Sequence, residues 1–184
     1  MSSTTTTTTF TRRGLLGAGL GLAAGAASAR AGDGAAPLVV YACRHGEKGT
    51  EGNDPALTEA GAARAELLAS MLRDVPLRAV FSTDTVRTRT TAEPAAKGHS
   101  LEVTTYAPKA LLKAIGDQGG AVLVVGHSNT IPATLKELGA DLPAGELEGF
   151  DDLFVLVKLP APAPVVLQRL HYGAASGASG GMHR

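Results

Sequence analysis

From residue 38 onward the chain alternates short apolar runs with stretches whose apolar residues recur every three or four positions. Leu38-Val39-Val40-Tyr41-Ala42-Cys43 is a near-continuous apolar run of strand length, the pattern of a strand buried on both faces. Ala79-Val80-Phe81 predicts a second short strand, Leu101 to Thr105 a weaker third, and Ala121-Val122-Leu123-Val124-Val125 the clearest of all. Between them lie helical patterns. Thr58 can cap a helix that carries Leu67, Leu68, Met71 and Leu72 on one face and stops at Pro76. A second helix is expected from about Val86 towards Lys97, through Pro94. A short one runs from Ala110 to Ile115, closed by Gly116. Another has Pro132 in its first turn, reaches about Leu138 and ends at Gly139. Leu153 to Leu159 and Val165 to Leu170 read as an antiparallel strand pair at the sheet edge, joined by a Pro-rich turn. No internal repeat is visible. Strands alternating with helices predict an α/β fold of three layers, αβα, around a mostly parallel central sheet.

Composition narrows the class. The chain has 184 residues, a length for one medium domain. With 44% hydrophobic and 18% charged residues it can bury a core, and with 4% aromatic residues and no Trp that core is built from Ala, Val and Leu. Lys+Arg and Asp+Glu are both 17, a formal net charge of +0, which argues against a broadly basic nucleic-acid surface but not against a local anion site. The single cysteine, Cys43, excludes a disulfide framework and a Cys-based zinc cluster; within its apolar run it reads as a buried, inert thiol.

The first 29 residues read as an address. A polar stretch with an uninterrupted threonine run from Thr4 to Thr9 precedes Arg12-Arg13. A Gly/Ala/Leu segment follows and ends in Ala27-Ser28-Ala29, a small-residue cleavage signal. This order predicts a twin-arginine signal peptide over 1–29, cleavage after Ala29 with Ala31 as the alternative, and a periplasmic or extracellular product with no stable membrane insertion. Cleavage after Ala29 leaves 15 basic and 17 acidic groups, a net charge of −2. The expected organisation is then a linker over 30–37, the domain over 38–172 and a disordered Gly/Ser/Ala tail with few anchors over 173–184.

Three polar clusters follow the predicted strands: Arg44-His45-Gly46-Glu47-Lys48, Ser82-Thr83-Asp84-Thr85-Val86-Arg87, and Gly126-His127-Ser128-Asn129. Any one of them is weak, since a lone His or Arg at a strand end is more often structural or solvated than catalytic. In an open α/β sheet, however, strand carboxyl ends share one rim, so the three converge there. Two Arg and two His at one point form a site for a multivalent oxyanion, the guanidinium fork matching phosphate oxygens and helix N-termini adding N–H donors.

These residues also carry a resemblance. Arg44-His45-Gly46-Glu47, the segment Ser82…Arg87…Thr91-Ala92-Glu93 and Gly126-His127-Ser128-Asn129-Thr130 resemble the three signatures of the histidine phosphatase superfamily, with its phosphoglycerate-mutase-like fold. Asp54-Pro55-Ala56-Leu57-Thr58-Glu59-Ala60-Gly61 resembles the family's segment after the first signature, and the likeness extends from about Leu38 to Val157. It is greatest for compact members close in size to the small bacterial phosphohistidine phosphatases, without the long insertion of the mutases. The resemblance implies a phosphatase acting on a phosphorylated small molecule or phosphoprotein. His45 would be the nucleophile that becomes a phosphohistidine, with Arg44, Arg87 and His127 stabilising charge on the transferring group. Nearby cations would keep the His45 imidazole unprotonated. Ser82 and Ser128 are further candidates for binding the phosphate. No cofactor and no metal is called for, and two His without a carboxylate triad make a poor zinc site.

The leaving group needs an acid, and where the mutases carry theirs this chain reads Tyr106-Ala107-Pro108-Lys109. Glu47 and Asp151 are the candidates, each with an equally plain structural role: pairing with an Arg, or capping a turn. Two other readings compete. One is a non-catalytic phosphate-binding module of the same fold. The other is a serine esterase, since Gly126-His127-Ser128-Asn129-Thr130 approaches the G-x-S-x-G elbow, though with Thr130 in place of the last glycine. Nothing in the sequence calls for an obligate partner chain.

Overall fold

A computed structural model of the protein describes residues 36–115, 119–140, 142 and 147–176. The expected signal peptide, most of the expected linker and residues 177–184 lie outside the described residues.

Six strands form one sheet: β1 Leu38–Arg44, β2 Leu77–Ser82, β3 Val103–Thr105, β4 Gly120–Gly126, β5 Asp152–Lys158 and β6 Val165–His171, in the order β3-β2-β4-β1-β5-β6. The helices are α1 Glu59–Leu72, α2 Val86–Gly98, α3 Leu111–Ile115 (preceded by a 3-10 turn, Pro108–Ala110) and α4 Thr130–Glu137. Each predicted apolar run is a strand, and each predicted helix is present within a few residues of its expected ends.

The sheet is mixed rather than mostly parallel. β1 with β4, β4 with β2, and β2 with β3 are parallel, whereas β5 pairs antiparallel with both β1 and β6. A parallel neighbour needs a crossover long enough to hold a helix, and the connection from β5 to β6 is a short turn, which only antiparallel strands can use.

Alternation along the strands feeds two cores. Val40, Ala42, Val122 and Val124 face α3 and α4, meeting Leu111, Ile115, Ile131 and Leu135. Cys43, Val80, Leu123 and Val125 face α1 and α2, meeting Leu68, Leu72, Ala92 and Ala95. Both faces being covered explains why β1 and β4 read as continuous apolar runs. The expected third layer is therefore present. Burial pushes the Cys43 thiol up to about 12, so it is the inert group its position predicts.

The termination signals act as read. Thr58 caps α1, its hydroxyl accepting from Gly61 N at 3.2 Å. Gly139 follows α4 at φ +98°, a conformation only glycine adopts without strain. The chain keeps its contacts through Ser176, and the rest of the expected tail lies outside the described residues. The buried Arg64 donates to the carbonyls of Tyr172 and Ala174, and Ser176 bonds Phe150 N and Asp151. A Gly/Ser/Ala composition signals weak burial, but backbone carbonyls are acceptors whatever the side chain. Among the described residues no helix is long and apolar enough to cross a membrane.

Candidate active site

The parallel block places the carboxyl ends of β1, β2 and β4 side by side, and the three polar clusters leave the sheet together. His45, the first residue after β1, is buried. Its backbone N–H donates to the Gly126 carbonyl at 3.0 Å, tying the end of β1 to the end of β4. The glycine that follows is required by space. A Cβ on Gly46 would lie 2.7 Å from the Gly61 carbonyl oxygen, and one on Gly61 would lie 2.2 Å from that of Glu47. The first turn of α1 therefore lies directly against the loop that carries His45. Gly46 N donates to Thr91 Oγ1 at 3.0 Å, fixing the loop to α2 as well.

The tautomer of His45 follows from its partner. Nδ1 lies 2.7 Å from the Gly46 carbonyl, which only accepts, so Nδ1 carries the proton and Nε2 keeps its lone pair. Burial is the largest influence on its pKa, and Arg44, Arg87 and His127 act in the same sense. Against the bond to Gly46, they bring it down to about 4. At neutral pH the ring is uncharged and oriented, with a lone pair on Nε2 that could attack an electrophile.

His127, the first residue after β4, stands edge-on to His45, ring centroids 5.4 Å apart and planes at 69°. Its Nε2 is 3.0 Å from Thr83 Oγ1 and its Nδ1 3.5 Å from Arg87 Nη2. Burial, then Arg87 and Arg44, hold its pKa below the usual histidine value, against Asp54. Arg87, in the first turn of α2, is held by Asp54: Nη1 donates to Oδ1 at 2.9 Å, while Oδ2 accepts from Val86 N at 2.8 Å. Its Nε is buried with no hydrogen-bond partner among the described residues. Arg44 closes the opposite side. Its Nη1 donates to the carbonyls of Leu147 and Glu148, each at 3.0 Å, and its guanidinium lies 4.3 Å from the centre of the Phe150 ring. That ring is 5.6 Å from the His45 ring. Next to His127 a pocket of about 510 Å³ opens, lined by Thr83, Asp84, Thr105, Tyr106, Ala107 and Thr130.

Two imidazoles and two guanidiniums thus share one rim, with a nucleophilic nitrogen among donors suited to an oxyanion. Residues 40–108 match the family model of the histidine phosphatase superfamily, branch 1. Solved structures share the fold. A candidate phosphohistidine phosphatase SixA from Nakamurella multipartitia is 26% identical, with 77% of this chain and 100% of that chain covered and a TM-score of 0.57. A candidate SixA from Agrobacterium tumefaciens is 24% identical, with 74% and 99% covered and a TM-score of 0.55. A mycobacterial glucosyl-3-phosphoglycerate phosphatase shares the fold at 15% identity, with 74% and 100% covered and a TM-score of 0.57. No curated protein matches the chain significantly.

The remaining sequence candidates separate by their surroundings. Glu47 is not placed as a proton donor. It accepts two bonds from Arg64 Nε, at 3.1 and 3.0 Å, and one from Nη2 at 2.6 Å, and Arg64 holds its carboxyl below the usual carboxylate range. Asp151 is likewise engaged: Oδ1 accepts from Ser176 Oγ at 2.7 Å and N at 3.2 Å, which lowers its pKa. Ser82 is fully buried, and its hydroxyl donates to the Thr83 carbonyl at 2.8 Å, so it braces the loop rather than facing a ligand. Ser128 is half-buried in the turn before α4, and its carbonyl accepts from Leu147 N at 3.2 Å. The imidazole beside it faces Thr83 and Arg87, and the Thr130 hydroxyl accepts from His127 N at 2.7 Å. Thr130 thus has a structural use that the glycine of an esterase elbow lacks. Among the described residues no group of three or more His, Cys, Asp or Glu stands close enough to hold a metal ion.

Thr83, Asp54 and Phe150 carry no role in the sequence reading. Asp54 lies in a segment that resembles the family's, which was its only signal. Thr83 stood in the second polar cluster with no role of its own and Phe150 gave no signal, because their importance comes from partners far along the chain.

Proposed function

We propose that this protein is a phosphatase that hydrolyses phosphate monoesters, or similar phosphoryl compounds, through a phosphohistidine on His45 and without a metal. The observation that carries the reading is the pair of imidazoles 5.4 Å apart, one of them held with Nε2 unprotonated, between Arg44 and Arg87. In the first step the lone pair of His45 Nε2 forms a bond to phosphorus as the bond to the leaving oxygen breaks. Arg87 and Arg44 offset charge on the non-bridging oxygens. Water then attacks phosphorus, the P–N bond breaks and inorganic phosphate departs. The fold shared with a glucosyl-3-phosphoglycerate phosphatase and the candidate SixA structures supports phosphoryl chemistry at this rim. The twin-arginine pattern supports action outside the cytoplasm.

The test is turnover of p-nitrophenyl phosphate with and without chelator, beside His45→Ala. Activity should be indifferent to chelator and fall at least about 10³-fold in the variant. An acid-labile phosphoryl group should be trapped on the parent protein alone. Turnover that survives His45→Ala overturns the mechanism. Phosphate binding without turnover favours the binding module, a reading that gains from the engagement of Glu47 and Asp151 elsewhere.

A further inference from the structure

With both expected carboxylates occupied, the reaction lacks an obvious source for the proton that an alkoxide leaving group requires. We propose that His127 is that proton donor and that Thr83 is the positioning residue that holds it ready; this rests on His45 being the nucleophile.

Hydrogen-bond direction supplies the argument. A guanidinium only donates, so in the neutral ring the nitrogen facing Arg87, Nδ1, carries the lone pair. Nε2 therefore carries the proton and donates to Thr83 Oγ1 at 3.0 Å. Thr83 Oγ1 donates in turn to Thr88 Oγ1 at 3.2 Å, and Thr88 Oγ1 donates to the Thr83 carbonyl at 2.7 Å. A carbonyl cannot donate, so the chain has one direction and fixes one tautomer. Both threonines are buried, at 5% and 0% exposure, so water does not compete for these bonds. A second proton on His127 must then settle on Nδ1, the edge turned to Arg87 and the phosphoryl position.

The free site disfavours that proton. Burial of the ring and the charges of Arg87 from α2 and Arg44 from β1 oppose it, and Asp54 attracts it. A phosphate monoester reverses the balance. Its second ionisation lies near pH 6, so a proton arrives with the monoanion at modest cost, and the bound dianion stabilises an imidazolium. In the first step His45 Nε2 bonds phosphorus, the P–O bond breaks and the leaving oxygen takes the proton from His127 Nδ1. In the second, that vacated lone pair accepts a proton from water as its oxygen bonds phosphorus and the P–N bond breaks. Ester dianion and water become alcohol and hydrogen phosphate, and His127 regains its proton.

The test combines nitrogen-15 NMR of histidine-labelled protein with kinetics of Thr83→Val, Thr83→Ser and His127→Gln. In the parent, neutral His127 should show a protonated Nε2 and a lone pair on Nδ1, its signals assigned by their loss in His127→Gln. Thr83→Val should mix the tautomers. It should also lower kcat on an alkyl phosphate by about 10²-fold, yet only a few-fold on p-nitrophenyl phosphate, whose leaving group needs no proton. Thr83→Ser should restore both readouts. A parent protonated on Nδ1 in its neutral form overturns the proposal. So does an equal loss on the two substrates, because a merely structural threonine would damage both alike. If the parent turns over neither substrate, the phosphatase reading falls too; if it turns over both and only the leaving-group contrast is missing, the phosphatase reading stands and the proton-donor role falls.

Discussion

A histidine buried at a strand end must be kept neutral, and His45 shows what that does to stability. Its pKa in the folded chain is about 4 against an ordinary 6.5. Between those values the unfolded chain binds a proton that the native chain refuses, so the native state loses ground as pH falls. The stability associated with this ring is fully present above about pH 6.5 and gone below about pH 4. The urea unfolding midpoint should therefore drop across that window, and His45→Gln should flatten the drop; parallel curves for the two proteins would contradict the assignment. At this scale Arg44, His45, Arg87 and His127 were legible, because each follows directly on an apolar run or opens a helix whose position the pattern predicts. Thr83 and Asp54 were not. Their partners lie 44 and 32 residues away, and nothing local in a threonine or an aspartate marks such a distant contact.

At the scale of elements, α2 shows how one loop serves both fold and chemistry. Thr85 occupies the N-cap position of α2 but makes no side-chain cap bond. Asp54 supplies the bond instead, from the loop after β1, and its other oxygen holds Arg87. A carboxylate there also complements the positive end of the helix dipole. Asp54→Ala should cost about 0.5–2 kcal/mol, read as a lower thermal midpoint by calorimetry. Phosphate affinity should change with it, because Arg87 loses its clamp. An unchanged midpoint would mean that water caps the helix equally well. The helices and strands themselves were readable from periodicity and capping residues. The parallel-to-antiparallel balance was not, because an apolar run announces burial on two faces and says nothing of which neighbour supplies the hydrogen bonds.

For the whole molecule, the sequence reading expects an export segment ahead of a domain, and the described residues belong to the expected domain and the few residues flanking it. The proposal that Arg12-Arg13 and Ala27-Ser28-Ala29 direct export predicts a mature protein whose first residue is Arg30, or Gly32 if cleavage follows Ala31. N-terminal sequencing of the protein recovered outside the cytoplasm decides this, and retention of Met1 would contradict it. Composition foresaw packing by Ala, Val and Leu, which the structure divides between two cores, one on each face of the sheet. It did not foresee the fastening of the C-terminal segment, which depends on Arg64 reaching backbone carbonyls that any residue could present.

That fastening has a consequence for handling the protein. Ser176 is bonded to Phe150, and the Phe150 ring covers both Arg44 and His45, so the last described residues are wired to the reactive ring through two contacts. A purification tag or fusion partner joined immediately after Ser176 would tug on the Phe150 ring that packs on Arg44 and His45, whereas a spacer of several flexible residues would insulate it.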